Sequence, residues 1–298
     1  MTAGPPEGSG DWITQKRREA GRYWDAHPIA VDSSSHARGT RDSFDELYQR
    51  LRAGMDENSY RFVEQCRGKR VLEMGCGIGL HARFLAENGV DYTGVDYSKS
   101  SLALARAHFL QNGLRARFVN ADGTALPFAD GSFDLVFSDG VVHHIPDMPK
   151  ACRELVRVAR PGGDVRVMVY SSDSYHYALV RYAICPLLFL LVSVPGLGAL
   201  ARFLPAKVRR LYEITRDHGY DPRRILDAST DTSFTGEGNW NPLSYFLTPR
   251  ELGALFPQLE AKAFRRKELR GFPPLPFRRQ VEQRFGFFLT LTGTKPNA

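Results

Sequence analysis

The sequence predicts a doubly wound α/β sheet, with parallel strands sandwiched between helices. The first observation is the text VLEMGCGIGLHARFLAENG at residues 71–89, continued by GVDYS at 94–98. It reads as a buried strand, a glycine-rich turn, an amphipathic helix and a second strand that ends in an acid. The second is that strand-like and helix-like segments keep alternating up to residue 170, the pattern of a parallel sheet with crossover helices.

Each element has its own local reason. VLEM is a short apolar run of strand length, and GLHARFLAEN is a helix closed by Gly89. YTGVD is strand two, SKSSLALARAHFLQN the next helix, and RARFVNAD strand three. FDLVFSD is strand four and MPKACRELVRVAR a helix. Pro161-Gly162-Gly163 is its stop signal, and DVRVMVY is strand five.

Outside this rhythm the text changes. Residues 1–10 read as a disordered leader and 11–66 as a helical lid over the sheet's ligand edge; 67–170 form the core. Residues 171–247 read as an inserted substrate cap. No charge stands between Arg181 and Arg202, while Pro186, Pro195, Gly196 and Gly198 break any single long helix there. The expectation is a helical hairpin; a soluble cap, a subunit interface in a homo-oligomer and a peripheral membrane contact through 183–204 all stay open. In residues 248–298, Thr248-Pro249-Arg250-Glu251 is a capping box opening a further helix. Two strands near LEAKAFRRKEL and RFGFFLTLTGT follow, separated by LRGFPPLPF.

The chain has 298 residues and a formal net charge of +7, dispersed apart from a C-terminal group that includes Arg265, Arg266, Lys267 and Arg270. No RNA-binding module accompanies that charge, so nucleic acid is not the expected partner. The 4 cysteines lack metal-ligand or disulfide-framework spacing, and no secretory leader precedes them. A reducing, cytoplasmic setting is expected, and no metal site.

Gly77-Ile-Gly79-Leu-His-Ala82 with Asp96 also satisfies the dinucleotide fingerprint of dehydrogenases. The wider set decides otherwise: Glu73 before the turn, Asp96 after strand two, Asp122 after strand three, and FDLVFSDGVVHHIPD from Phe133. Together these resemble the class I S-adenosylmethionine-dependent methyltransferase family, in its quinone-biosynthesis-like, small-molecule branch. The resemblance covers residues 70–170 well and 248–295 loosely. It implies a Rossmann-like seven-stranded sheet, five parallel strands plus a C-terminal antiparallel pair, and S-adenosylmethionine as cofactor.

That cofactor presents a zwitterion, a sulfonium, a ribose diol and an adenine. Gly75 and Gly77 let backbone approach it, and Glu73 is placed for its ammonium. Asp96 is expected on the ribose hydroxyls, Tyr97 on an adenine face, and Asp122 with Gly123 at the adenine amine. Ser138 and Asp139 should approach the methionine moiety. His143 and His144, just past strand four, are the candidate general bases. Tyr23 and Trp24 of the lid, and Tyr175, Trp240 and Tyr245 of the cap, are candidate substrate contacts. The apolar cap points to a hydrophobic or amphipathic small molecule, methylated on oxygen. Three other readings stay open: a carbon methyltransferase acting on an allylic or aromatic centre, an RNA or protein methyltransferase, and a fold relative kept for binding alone.

Overall fold

The first strand, β1 (Arg70–Met74), lies in mid-sheet, and its Val71 and Leu72 side chains are fully buried because helices cover both faces. The computed structural model describes residues 10–231, 240–269 and 277–297. The other strands are β2 (Asp91–Asp96), β3 (Arg117–Asn120), β4 (Phe133–Asp139), β5 (Ala159–Ser171), β6 (Phe246–Leu247), β7 (Glu260–Lys267) and β8 (Phe288–Thr294). Their order is β3-β2-β1-β4-β5-β8-β7. The first five are parallel, and β8 runs antiparallel between β5 and β7. The expected seven strands are therefore present, joined by β6, which pairs parallel with the end of β5.

Helices α1 (Gly10–Ala26), α2 (Arg41–Ala53) and α3 (Glu57–Cys66) precede the sheet. The crossovers are α4 (Leu80–Glu87), α5 (Lys99–Gln111) and α6 (Met148–Val158). The expected leader falls on residues 1–9, outside the described residues, and Gly10 already belongs to α1.

Three local expectations need correction. Pro161-Gly162-Gly163 does not separate helix from strand: α6 ends at Val158 and β5 already starts at Ala159. Proline is tolerated because the β4–β5 register shifts between Phe133 and Leu135, and Gly162 and Gly163 bond Lys295 instead. Pro186 does not break its helix either. Helical text runs from Tyr175 to Ser193, and a wider π turn at Val180–Ile184 just before the proline absorbs its missing N–H. The chain turns only at Pro195-Gly196, where Gly196 has φ +85°. Finally, Arg284 and Phe285 belong to a helix (Arg278–Phe285) that the sequence reading gave to a strand. Most of LRGFPPLPF lies outside the described residues.

The cap after β5 has its own core. Val180, Cys185, Leu188 and Leu191 pack with Leu211 and Ile214 of a helix at Ala206–His218, against Tyr170 and Phe287 of the sheet side. The capping box at Thr248 forms as expected, with the Glu251 amide donating to Thr248 and the Thr248 amide to Glu251.

The tightest point is the turn after β1. Gly75 sits at φ +85°, and a Cβ there would lie 2.2 Å from Val141 Cγ2. Gly75→Ala therefore combines left-handed strain with a collision and should cost about 2 kcal/mol or more, read from denaturant midpoints. A midpoint unchanged from wild type would mean that the turn relaxes freely.

Candidate active site

The carboxyl ends of β1, β2 and β4 converge on a cavity of about 180 Å³. Its floor is the glycine turn, with Gly75 and Gly77 exposing backbone where side chains would fill the space. Asp96 ends β2 on the cavity wall; its carboxylate accepts the Gly77 amide at 2.8 Å and the Ser98 amide at 2.8 Å. Burial raises the Asp96 pKa above the usual carboxylate value, and these two amides oppose that. Each oxygen keeps lone-pair capacity for a further donor.

Tyr97, Asp122 and Gly123 also line the cavity. Asp122 accepts the Thr124 amide at 2.8 Å on one oxygen, and Arg17 of α1 stands 3.5 Å from the other. Asp139 lines it too: one of its oxygens pairs with Arg166 at 2.9 Å, while Oδ1 is buried without a hydrogen-bond partner among the described residues. Glu73 and Ser138 are not on the wall. Glu73 is buried beneath the turn, accepting the Tyr92 hydroxyl, with His81 Nδ1 at 3.1 Å. Ser138 is buried, and its hydroxyl donates to the Met74 carbonyl at 3.0 Å.

Helix α1 closes over the opening. Gly21 lies so close to Tyr97 that a Cβ would sit 2.4 Å from the ring. Asp25 receives the Ser100 amide at 2.9 Å and the Ser98 hydroxyl at 3.1 Å, which ties the helix to the start of α5. Trp24 lines the cavity and packs 5.1 Å from the His144 ring. Tyr23 points elsewhere and donates to the Asp231 carbonyl at 2.6 Å.

The two histidines part company. His144 lines the cavity, with Nδ1 2.7 Å from the Leu243 carbonyl and Nε2 3.4 Å from Asp231 Oδ2. The Tyr170 hydroxyl donates to that same Asp231 oxygen. His143 is fully buried away from the cavity wall, 4.0 Å from the Tyr170 ring, and neither ring nitrogen has a partner among the described residues. Burial, and then the neighbouring His144, hold its pKa well below the usual histidine value.

Tyr175, Trp240 and Tyr245 are not brought to the cavity. Tyr175 is exposed at the start of the cap helix, and Trp240 packs 4.8 Å from His218 within the cap. Tyr245 is buried behind the site; its amide donates to the His143 carbonyl at 2.8 Å. Sequence reasoning missed Arg17, Asp25, Asp231 and Leu243. Nothing in the pattern ties α1 to α5, or the cap's return strand to a loop about a hundred residues earlier.

A parallel sheet whose strand ends hold a glycine turn and a ring of acids defines a nucleoside-binding α/β protein. Residues 72–167 match the family described as a methyltransferase domain. The methyltransferase GfsG of Streptomyces halstedii is 31 % identical over 55 % of this chain and 62 % of its own length. The ubiquinone biosynthesis O-methyltransferase of Aromatoleum aromaticum is 27 % identical over 62 % of this chain and 78 % of its own. A crystal structure of a Pyrococcus horikoshii protein shares the fold, with a TM-score of 0.53 and 16 % identity over 92 % of this chain and 98 % of that one. The chain thus spans less than two thirds of the Streptomyces relative. Residues 72–167 are a methyltransferase domain, similar to those of the class I S-adenosylmethionine-dependent methyltransferases, and S-adenosylmethionine is the cofactor of such a domain. The glycine cradle and the unpartnered Asp139 Oδ1 fit a ligand that carries an ammonium.

Two outcomes check this arrangement. Asp96→Ala should weaken S-adenosylmethionine binding by about 10- to 100-fold in calorimetry, the loss expected for hydrogen bonds to a charged acceptor. Unchanged affinity would remove Asp96 from the site. For His143, the unfolded chain takes up a proton near pH ~6.5, whereas the folded protein does so only well below. The unfolded state then binds more protons as pH falls below about 6.5, so the stability present above that pH is lost in acid. In His143→Phe, melting temperature should fall less between about pH 6.5 and 5 than in wild type. Equal slopes would mean that His143 is protonated in place.

Proposed function

We propose that the protein transfers a methyl group from S-adenosylmethionine to a hydroxyl oxygen of an apolar or amphipathic small molecule, with His144 as general base. The observation that carries this reading is the place of His144 on the cavity wall, with Nδ1 2.7 Å from the Leu243 carbonyl. That contact supports a ring proton on Nδ1 and a lone pair on Nε2, against the Asn241 amide nitrogen 3.2 Å from the same Nδ1. The Asp231 carboxylate lies 3.4 Å from Nε2.

The cofactor, when bound, supplies an electrophilic methyl on a sulfonium. Asp96 would hold the ribose hydroxyls, Asp122 and Tyr97 the adenine, and Asp139, with Glu73 behind it, the ammonium. The chain's further contribution is alignment and exclusion of water. Helix α1 supports that role: Trp24 packs over His144, and Asp25 and Arg17 hold the helix down. The mainly apolar cavity wall, which includes Ile29, Val141, Ile145 and Pro146, supports a hydrophobic acceptor. The Aromatoleum relative, named for oxygen methylation in ubiquinone biosynthesis, supports a hydroxyl as the target. Four free, buried cysteines support work in a reducing cytoplasm.

The test is transfer of labelled methyl to a fractionated extract, by wild type and His144→Gln. Label should enter the organic-soluble fraction as a methyl ether. His144→Gln should lower kcat by about 10²- to 10⁴-fold while cofactor affinity holds. Label on carbon would move the reaction to the carbon-methylating reading, and label in RNA or protein would overturn the small-molecule one. An undiminished kcat would remove His144 as the base.

A further inference from the structure

We propose that the cap hairpin docks the protein onto the surface of an anionic lipid bilayer. The helix from Tyr175 to Ser193 is apolar on two sides. Val180, Cys185, Leu188 and Leu191 point into the cap core. At the complementary helical positions Tyr182, Phe189 and Leu190 face solvent, and Val194, Leu200 and Phe203 continue the exposed set past the turn. Tyr182 is 73 % exposed and Phe203 71 %. A water-facing helix side is ordinarily polar, so an outer face of large apolar and aromatic side chains marks a contact surface.

Charge identifies the occupant. From Ser174 to Tyr212 the chain contains no Asp or Glu, while Arg181, Arg202, Lys207, Arg209 and Arg210 fall within it. Arg181, Arg202, Lys207 and Arg209 are exposed, and the Arg202 guanidinium lies 4.7 Å from the Phe203 ring. Aromatic side chains with a basic rim suit the boundary between acyl chains and anionic headgroups. A second copy of the chain docked on the same face would set cations against cations. A transmembrane course conflicts with the inner face, because withdrawing the helix strips Val180, Cys185, Leu188 and Leu191 from the cap core. The surface contact stands apart from methyl transfer and does not depend on the identity of the acceptor.

Flotation of the full chain with phosphatidylcholine vesicles, with and without phosphatidylglycerol, tests this. Partitioning onto the anionic vesicles should exceed that onto neutral ones at least tenfold and fall in high salt. Arg202→Gln/Lys207→Gln/Arg209→Gln should lower it by roughly fivefold per cation. Tyr182→Ser/Phe203→Ser should lower it about tenfold with an unchanged melting temperature, since both side chains are exposed. Equal binding to neutral and anionic vesicles, or none to either, overturns the proposal. So does a concentration-dependent dimer that Tyr182→Ser/Phe203→Ser abolishes, which would assign the face to a second copy. Protein that resists alkaline carbonate extraction overturns it in favour of a span. Should the double variant misfold, the salt dependence of wild type and the triple variant still decide.

Discussion

The contact between Gly75 and Val141 is the constraint on which the rest of the site depends. Parallel strands β1 and β4 are neighbours, so the loops leaving their carboxyl ends must pass one another. They pass with no room for a Cβ at residue 75. That closeness leaves the backbone of the turn bare on the cavity floor and brings Asp96 within reach of the Gly77 amide. It also sets where the loop after β4 begins, and hence where His144 stands. A looser turn would move floor and base together.

The cap is tied into the same geometry by its return segment. The Tyr245 amide bonds the His143 carbonyl, β6 adds to the end of β5, and the Leu243 carbonyl lies 2.7 Å from His144 Nδ1. Asn241 and Ser244 knit that segment internally, with the Asn241 amide 2.7 Å from the Ser244 hydroxyl. The Ser244 amide is held by the buried Asp227, whose pKa burial pushes up to about 6. The orientation of the candidate base is thus set by residues about a hundred positions away. The cap is part of the site's frame even though Tyr175 and Trp240 lie outside the cavity.

What was legible in the sequence follows the range of the interactions. The succession of strands and helices along the chain and the positions of Gly75, Asp96 and Asp122 could be read because each depends on a local pattern: an alternation of apolar runs, a glycine turn, or an acid where a strand ends. The capping box at Thr248 was legible for the same reason. Strand five was misjudged at its start because Pro161-Gly162-Gly163 has the composition of a turn, while its partners lie at Lys295. Pro186 was read as a breaker because a π turn leaves no compositional trace. Asp25, Asp231 and Leu243 were invisible for a different reason: each acts across more than seventy residues, through polar contacts that no periodicity records.

His143 and His144 show most sharply how environment overrides identity. They are adjacent, their rings 4.1 Å apart, and sequence gives no ground to choose between them. One ring packs on Tyr170 with no partner for either nitrogen among the described residues, so charging it means placing an uncompensated ion in a buried aromatic cluster. The other lines the cavity, with a carbonyl on one nitrogen and a carboxylate 3.4 Å from the second. A neutral neighbour is also what such a base requires. Two histidinium ions at this distance would repel strongly in a low-dielectric interior, and burial keeps His143 the uncharged member of the pair.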